Sequence, residues 1–194
     1  MRVDLDSGWM SGVRHVASPN YDARPPGVEA DLIVIHGISL PPGEFGGPWI
    51  DRLFNNSLPA DVHPYFAEII SLRASSHVLV TRDGAVTQYV GFSERAWHAG
   101  KSMYQGREAC NDFSVGVELE GTDTLPYEPV QYGALAEIVA ALCAAYPRLS
   151  PDRLVGHSDI APGRKTDPGP AFDWPRARSL IAAAGTAYGK PLTA

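Results

Sequence analysis

Six histidines, His15, His36, His63, His77, His98 and His157, are the side chains best suited to proton or metal chemistry near neutral pH. Taken alone, each is equally well read as a hydrogen-bonded or surface group. His36 and His157 differ in where they fall. Leu32-Ile-Val-Ile35 is a short, wholly apolar run that ends abruptly at His36-Gly37, and Leu154-Val155 is a stub of strand ending at Gly156-His157. Both imidazoles thus terminate strands, where open α/β sheets place ligand sites, and the two can converge on one point. The segment after His157 adds two acids. Asp159, two residues on, suits structural work in a turn, whereas Asp167, ten residues on and held by Pro168-Gly169-Pro170, can fold back beside His157. Two histidines, one carboxylate and a water make a four-coordinate catalytic zinc site with one open position. The ten-residue spacing is not in itself a metal motif.

The elements that must position these groups are legible in part. The apolar run 32–35 reads as a strand buried on both faces. Val78-Leu-Val80 and Val86–Val90 flank Arg82-Asp83-Gly84-Ala85, and Asp-Gly between apolar runs predicts a hairpin. Ser114–Glu120 alternates, with Val115, Val117 and Leu119 on one face and Gly116, Glu118 and Glu120 on the other. From Pro129 to Tyr146 the spacing becomes helical, with Leu135, Ile138, Val139, Leu142 and Tyr146 on one stripe until Pro147 stops it. Pro64–Ile70 predicts a short helix, and a last helix is expected from Pro175 through Ala184 after a polar loop. The first thirty residues read as a proline-studded lead-in rather than an element, and residues 39–76 as a lid or cleft wall. The expected fold class is α/β, a central mixed β-sheet flanked by helices, in one domain spanning residues 1–194.

Composition excludes several classes. The chain has 194 residues, 44% of them hydrophobic and 20% charged, which rules out disorder and coiled coil, while 17 prolines and 19 glycines argue against a helical bundle. With 16 Lys+Arg against 22 Asp+Glu the net charge is −6, so nucleic acid and anionic membrane are not expected partners. Cys110 and Cys143 provide neither a disulfide framework nor a CxxC ligand pair. Acids near the N-terminus, where a secretory signal needs an apolar segment, and the lack of any long apolar run predict a cytoplasmic protein.

Five segments together carry a family resemblance. They are Ser-Pro-Asn-Tyr-Asp-Ala-Arg-Pro (18–25), Val-Ile-His-Gly-Ile-Ser-Leu-Pro-Pro-Gly-Glu-Phe-Gly-Gly (34–47), Arg-Ala-Trp-His-Ala-Gly (95–100), Asn-Asp-Phe-Ser-Val-Gly-Val-Glu-Leu-Glu-Gly (111–121) and Gly-His-Ser-Asp-Ile-Ala-Pro-Gly-Arg-Lys-Thr-Asp-Pro-Gly-Pro (156–170). From about Trp9 to Trp174 the chain resembles the zinc-dependent N-acetylmuramoyl-L-alanine amidases of the phage-lysozyme and peptidoglycan-recognition superfamily, in particular the cytoplasmic type acting on 1,6-anhydromuramyl peptides. The resemblance implies Zn2+ held by His36, His157 and Asp167, and catalytic roles for Glu118 and Lys165. It implies a soluble muropeptide as substrate, with no obligate protein partner. Two positions depart from the family pattern: Gly37 stands where asparagine is common, and Ala109 where arginine is common.

Within that implied chemistry, Glu118 is the base for a water and Lys165 the cation that stabilises a developing oxyanion. Periodicity alone does not separate Glu118 from Glu120, and without the motif Lys165 is a surface lysine beside Arg164. His77 and His98 are second-rank candidates for substrate contact, equally readable as structural histidines. Trp97 either offers its face to a sugar or lines the core. Arg73, Arg95 and Arg107 are candidates for pairing with the carboxylates of a stem peptide. Two other readings stay open: an exported amidase acting on polymeric murein, and a murein-binding module without catalysis.

Overall fold

A computed structural model describes residues 1–187. Its centre is a six-stranded sheet: β1 (Arg14–His15), β2 (Leu32–Ile38), β3 (Val78–Val80), β4 (Val86–Gln88), β5 (Ser114–Glu120) and β6 (Leu154–Gly156). The strand order is β6-β2-β5-β3-β4-β1. β6, β2, β5 and β3 run parallel, β4 is antiparallel to β3, and β1 is parallel to β4. The sheet is mixed, as the sequence predicts. Asp83-Gly84 turns the β3–β4 hairpin, with Gly84 at φ 83°.

Among the described residues five α-helices accompany it: α1 (Trp49–Phe54), α2 (Pro64–Ile69), α3 (Pro129–Ala145), α4 (His157–Ile160) and α5 (Trp174–Ala187). Period-two alternation gives the sheet two different faces. Ile33, Ile35, Val115, Val117 and Leu119 point into one core with α3 and α5. Leu135, Ile138 and Leu142 of α3 are fully buried there, each contributing about 1.5–3 kcal/mol by leaving water. Gln131 docks the start of α3. Its side-chain oxygen accepts from Glu128 N at 2.9 Å, while its amide donates to the carbonyls of Val80 and Glu120 at 3.2 and 3.0 Å.

The opposite face carries Leu32, Val34 and His36 on β2, and Ser114, Gly116, Glu118 and Glu120 on β5. It is covered by the irregular segments and by α1 and α2 rather than by long helices. All functional candidates on the sheet lie on this face.

Several sequence expectations need correction. β2 runs through His36 to Ile38, so the imidazole lies within the strand. Hydrogen bonding to β5 carries the strand past the apolar run, along the whole register from Ser114↔Leu32 to Glu120↔Ile38. The lead-in contributes edge strand β1 and a ribbon of Arg2–Val3 with Met10–Ser11. His157 opens a single helical turn instead of a loop, and α5 begins at Trp174, one residue before Pro175. Residues 39–76 contain α1, which no periodicity announced.

Candidate metal centre and cleft

Strand order and register assemble the site. In the β5–β2 pairing Glu118 stands opposite His36, and in the β6–β2 pairing Gly156 stands opposite Ile35. His157, Glu118 and His36 therefore meet across three neighbouring parallel strands about 4.8 Å apart. Asp167 arrives from the loop beyond α4, which folds back so that Ser158 N donates to Asp167 O at 3.0 Å. Asp159 takes the structural alternative, with its carboxylate accepting from Gly156 N at 2.7 Å ahead of α4.

Three atoms converge. His36 Nδ1 and His157 Nδ1 are 2.9 Å apart, and Asp167 Oδ2 lies 3.3 Å from the first and 3.1 Å from the second. A tetrahedral centre with zinc-length bonds spaces its ligand atoms about 3.3–3.4 Å apart, so only a few tenths of an ångström of adjustment are needed. His157 Nε2 donates to Ala99 O at 3.2 Å, which leaves its Nδ1 with a lone pair aimed at the other two atoms. Nitrogen and carboxylate lone pairs facing one another at this range repel unless a proton or a metal cation lies between them. Two nitrogens and one oxygen suit a divalent transition metal.

The electrostatics agree with that arrangement. Burial pulls the His36 imidazole down to about 4 against the raising influence of Asp167, favouring the neutral ring a metal ligand requires. Burial alone would raise the Asp167 carboxyl. The two imidazoles outweigh it and hold the group well below the ordinary carboxylate range.

Glu118 and Glu120, indistinguishable by periodicity, are separated by their partners. Glu120 Oε1 accepts from Gly46 N at 2.5 Å and its Oε2 from Arg82 N at 3.1 Å. Glu118 Oε2 is buried and has no hydrogen-bond partner. Burial pushes the Glu118 carboxyl well above its usual range, Asp167 adds to the rise, and Lys165 opposes it. Neither acid is the exposed strand residue that alternation would also allow.

The triad and Glu118 line a cleft of 630 Å³. Lys165 is exposed at its rim, and His98 borders it between His36 and Ser114. Leu53 and Phe54 of α1, with Tyr65 and Ile69 of α2, form an apolar wall, so the 39–76 segment walls the cleft as expected.

The remaining candidates fall elsewhere. Arg107 pairs with Asp31 at 2.6 Å and lies over the Phe113 ring, at the end of β2 remote from His36. Arg95 is held by Asp22 and Asp112 at 2.5 and 2.6 Å, and the Trp97 indole donates to Asp22 at 3.1 Å. Neither borders the cleft. Arg73 is exposed beside the cleft residues Leu72 and Ala74, donating to the Ile70 and Leu72 carbonyls. His77 is buried beneath the site, donating to Glu94 O and accepting from Gly116 N. Sequence reasoning passed over Ser114 and Tyr127. Ser114 shares the strand parity of Glu118, the one signal that could have found it.

The family model for N-acetylmuramoyl-L-alanine amidase matches residues 26–170. This chain belongs to that family. Among its relatives in the amidase family, the 1,6-anhydro-N-acetylmuramyl-L-alanine amidase AmpD of Salmonella typhimurium (strain SL1344) is 60% identical over 177 residues, covering 91% of this chain and 94% of that one. The crystal structure of a Se-Met AmpD derivative aligns with TM-score 0.90 and 56% identity over 93% of this chain and 99% of its own. The AmiD amidase of E. coli, in complex with anhydro-N-acetylmuramic acid-L-Ala-D-gamma-Glu-L-Lys, aligns with TM-score 0.56 and 29% identity over 89% of this chain and 60% of its own. The family is one of metal-dependent amidases, and His36, His157 and Asp167 provide a possible metal site here. No helix among the described residues is long and apolar enough to cross a membrane.

Proposed function

We propose that this chain is a zinc amidase that hydrolyses the bond between 1,6-anhydro-N-acetylmuramic acid and the L-alanine of its stem peptide, in cytoplasmic peptidoglycan recycling. The observation that carries this reading is the triangle of His36 Nδ1, His157 Nδ1 and Asp167 Oδ2, with no edge longer than 3.3 Å. The substrate class rests on the relatives, named as 1,6-anhydro-N-acetylmuramyl-L-alanine amidases at 60% identity. The substrate is a soluble muropeptide, and no nucleic acid, membrane or obligate protein partner is involved.

His36, His157 and Asp167 would hold the zinc. When bound there, it would acidify a water and polarise the scissile carbonyl. Glu118 takes the attacking water's proton on its unpartnered Oε2 and returns it to the amide nitrogen as the C–N bond breaks and the new C–O bond remains. A carboxyl already raised by burial is suited to holding a proton between those steps. Lys165, at the rim, neutralises the charge that develops on the carbonyl oxygen. The wall of Leu53, Phe54 and Tyr65 keeps water from one side of the bound substrate.

Turnover of soluble anhydromuropeptide is the test. The purified protein is expected to release peptide from it faster than from intact sacculi, and to lose turnover when stripped of metal or altered by His157→Ala. Full activity without metal would overturn the zinc assignment. A preference for sacculi would favour an exported amidase, and tight binding without hydrolysis a recognition module.

A further inference from the structure

We infer that Ser114 and His98 form a positioning pair that fixes the proton of His36 on Nε2, leaving Nδ1 free to ligate a metal. The inference rests on reading the triad as a metal centre.

The polarity of the chain of bonds follows from one fixed group. Ser114 Oγ lies 2.6 Å from the Cys110 carbonyl oxygen and 3.1 Å from His98 Nε2. A carbonyl only accepts, so the hydroxyl's single hydrogen goes to Cys110 and Oγ turns a lone pair toward His98. His98 Nε2 must then be the N–H. In the neutral imidazole that leaves Nδ1 as an acceptor, 2.9 Å from His36 Nε2. His36 therefore donates from Nε2, and its Nδ1 presents a lone pair to the point shared with His157 and Asp167. A backbone carbonyl three groups away sets the tautomer of a ligand.

The second histidine reaches the same state by a shorter route, since His157 Nε2 donates directly to Ala99 O. The two devices share an anchor. Asn111 Oδ1 accepts from the backbone N–H of both His98 and Ala99, at 3.1 and 2.7 Å. Space for the relay comes from Gly116 on β5. A Cβ there would lie 2.5–2.8 Å from the His98 ring atoms, closer than a real contact allows. This accounts for a glycine in the middle of a buried strand, where its entropy and lack of packing are otherwise unfavourable.

Without the Ser114 hydroxyl nothing fixes His98. Its alternative tautomer points Nδ1–H at His36 Nε2 and drives the His36 proton onto Nδ1, where it competes with the metal. Nitrogen-15 spectra of the histidine rings in the metal-free full chain read the tautomers directly. Both His36 and His98 are expected as Nε2–H forms, and Ser114→Ala is expected to convert or mix them. Chelator competition should show the zinc dissociation constant rising roughly 10–100-fold in Ser114→Ala, with Ser114→Thr, which restores the hydroxyl, returning it toward the parent value.

His36 carrying its proton on Nδ1 in the unaltered metal-free protein would overturn the inference without reference to any variant. So would a folded Ser114→Ala protein with unchanged ring spectra and unchanged zinc affinity; zinc binding by the parent would then leave the metal-centre reading intact. A parent chain that binds no divalent ion would defeat both.

Discussion

Glu118 stands opposite His36 in the parallel pairing of β5 with β2, on the sheet face turned away from α3 and α5. A candidate proton carrier and a candidate metal ligand are thereby fixed by backbone hydrogen bonding rather than by loop conformation. Rigid strands hold such distances better than loops do.

Replacing this carboxyl separates activity from stability. Glu118→Gln is expected to lower kcat by about 10²–10⁴-fold, the usual range for a general base, with the fold intact. It should also stabilise the metal-free protein at neutral pH. Because burial raises the folded-state carboxyl above its ordinary 4.5, the folded chain retains a proton there that the unfolded chain loses. Stability is complete below that ordinary value and falls as pH rises through the folded-state value. The glutamine variant has no such loss, so its Tm should exceed the parent's at pH 7 and match it near pH 4. An equal gap at both pH values would exclude this account.

Removing a ligand should cost metal before it costs structure. Asp167→Asn is expected to reduce bound zinc, measured by elemental analysis after gel filtration, and to abolish turnover. The asparagine keeps the shape but loses the charge that the two imidazoles hold in place. Zinc retained at one equivalent would remove Asp167 from the ligand set.

Gly37 and Tyr127 form a steric pair. A Cβ at position 37 would lie 2.4 Å from the Tyr127 hydroxyl, which donates to Pro168 O at 3.0 Å beside Asp167. Gly37→Ala is expected to cost about 1–3 kcal/mol by overpacking and to weaken zinc binding by shifting the Asp167 loop. Tyr127→Phe, which removes the obstructing oxygen, should recover part of that loss. Additive effects in the double variant would show the two positions to be independent.

Arg95 and Arg107 are committed to Asp22, Asp112 and Asp31. Alanine at either should leave KM for peptide-bearing substrate unchanged while Arg95→Ala lowers Tm. A rise in KM from either change would return these arginines to substrate recognition.

The sequence made the sheet, the hairpin and α3 legible because each has a local signature: apolar runs, Asp83-Gly84 and a helical stripe. It was silent on α1, a six-residue helix whose stability comes from packing of Ile50, Leu53 and Phe54 rather than from periodicity. Candidate ligands could be named from strand ends and the family pattern, whereas only the family pattern, and nothing in the periodicity, favoured Glu118 over Glu120. That contrast depends on which carboxylate the backbone amides of Gly46 and Arg82 reach, a matter of tertiary proximity. The place of Arg107 is hidden for the same reason, since its position along the chain gives no hint that it sits at the far end of β2.

The grip of Glu120 on Gly46 has an evolutionary corollary. It uses a main-chain amide at a residue held at φ 78°, in the left-handed region that glycine enters without strain, so a side chain at position 46 would disturb the cleft mouth although the amide itself would remain. Glycine at 46 and the acid at 120 are therefore expected to be kept together.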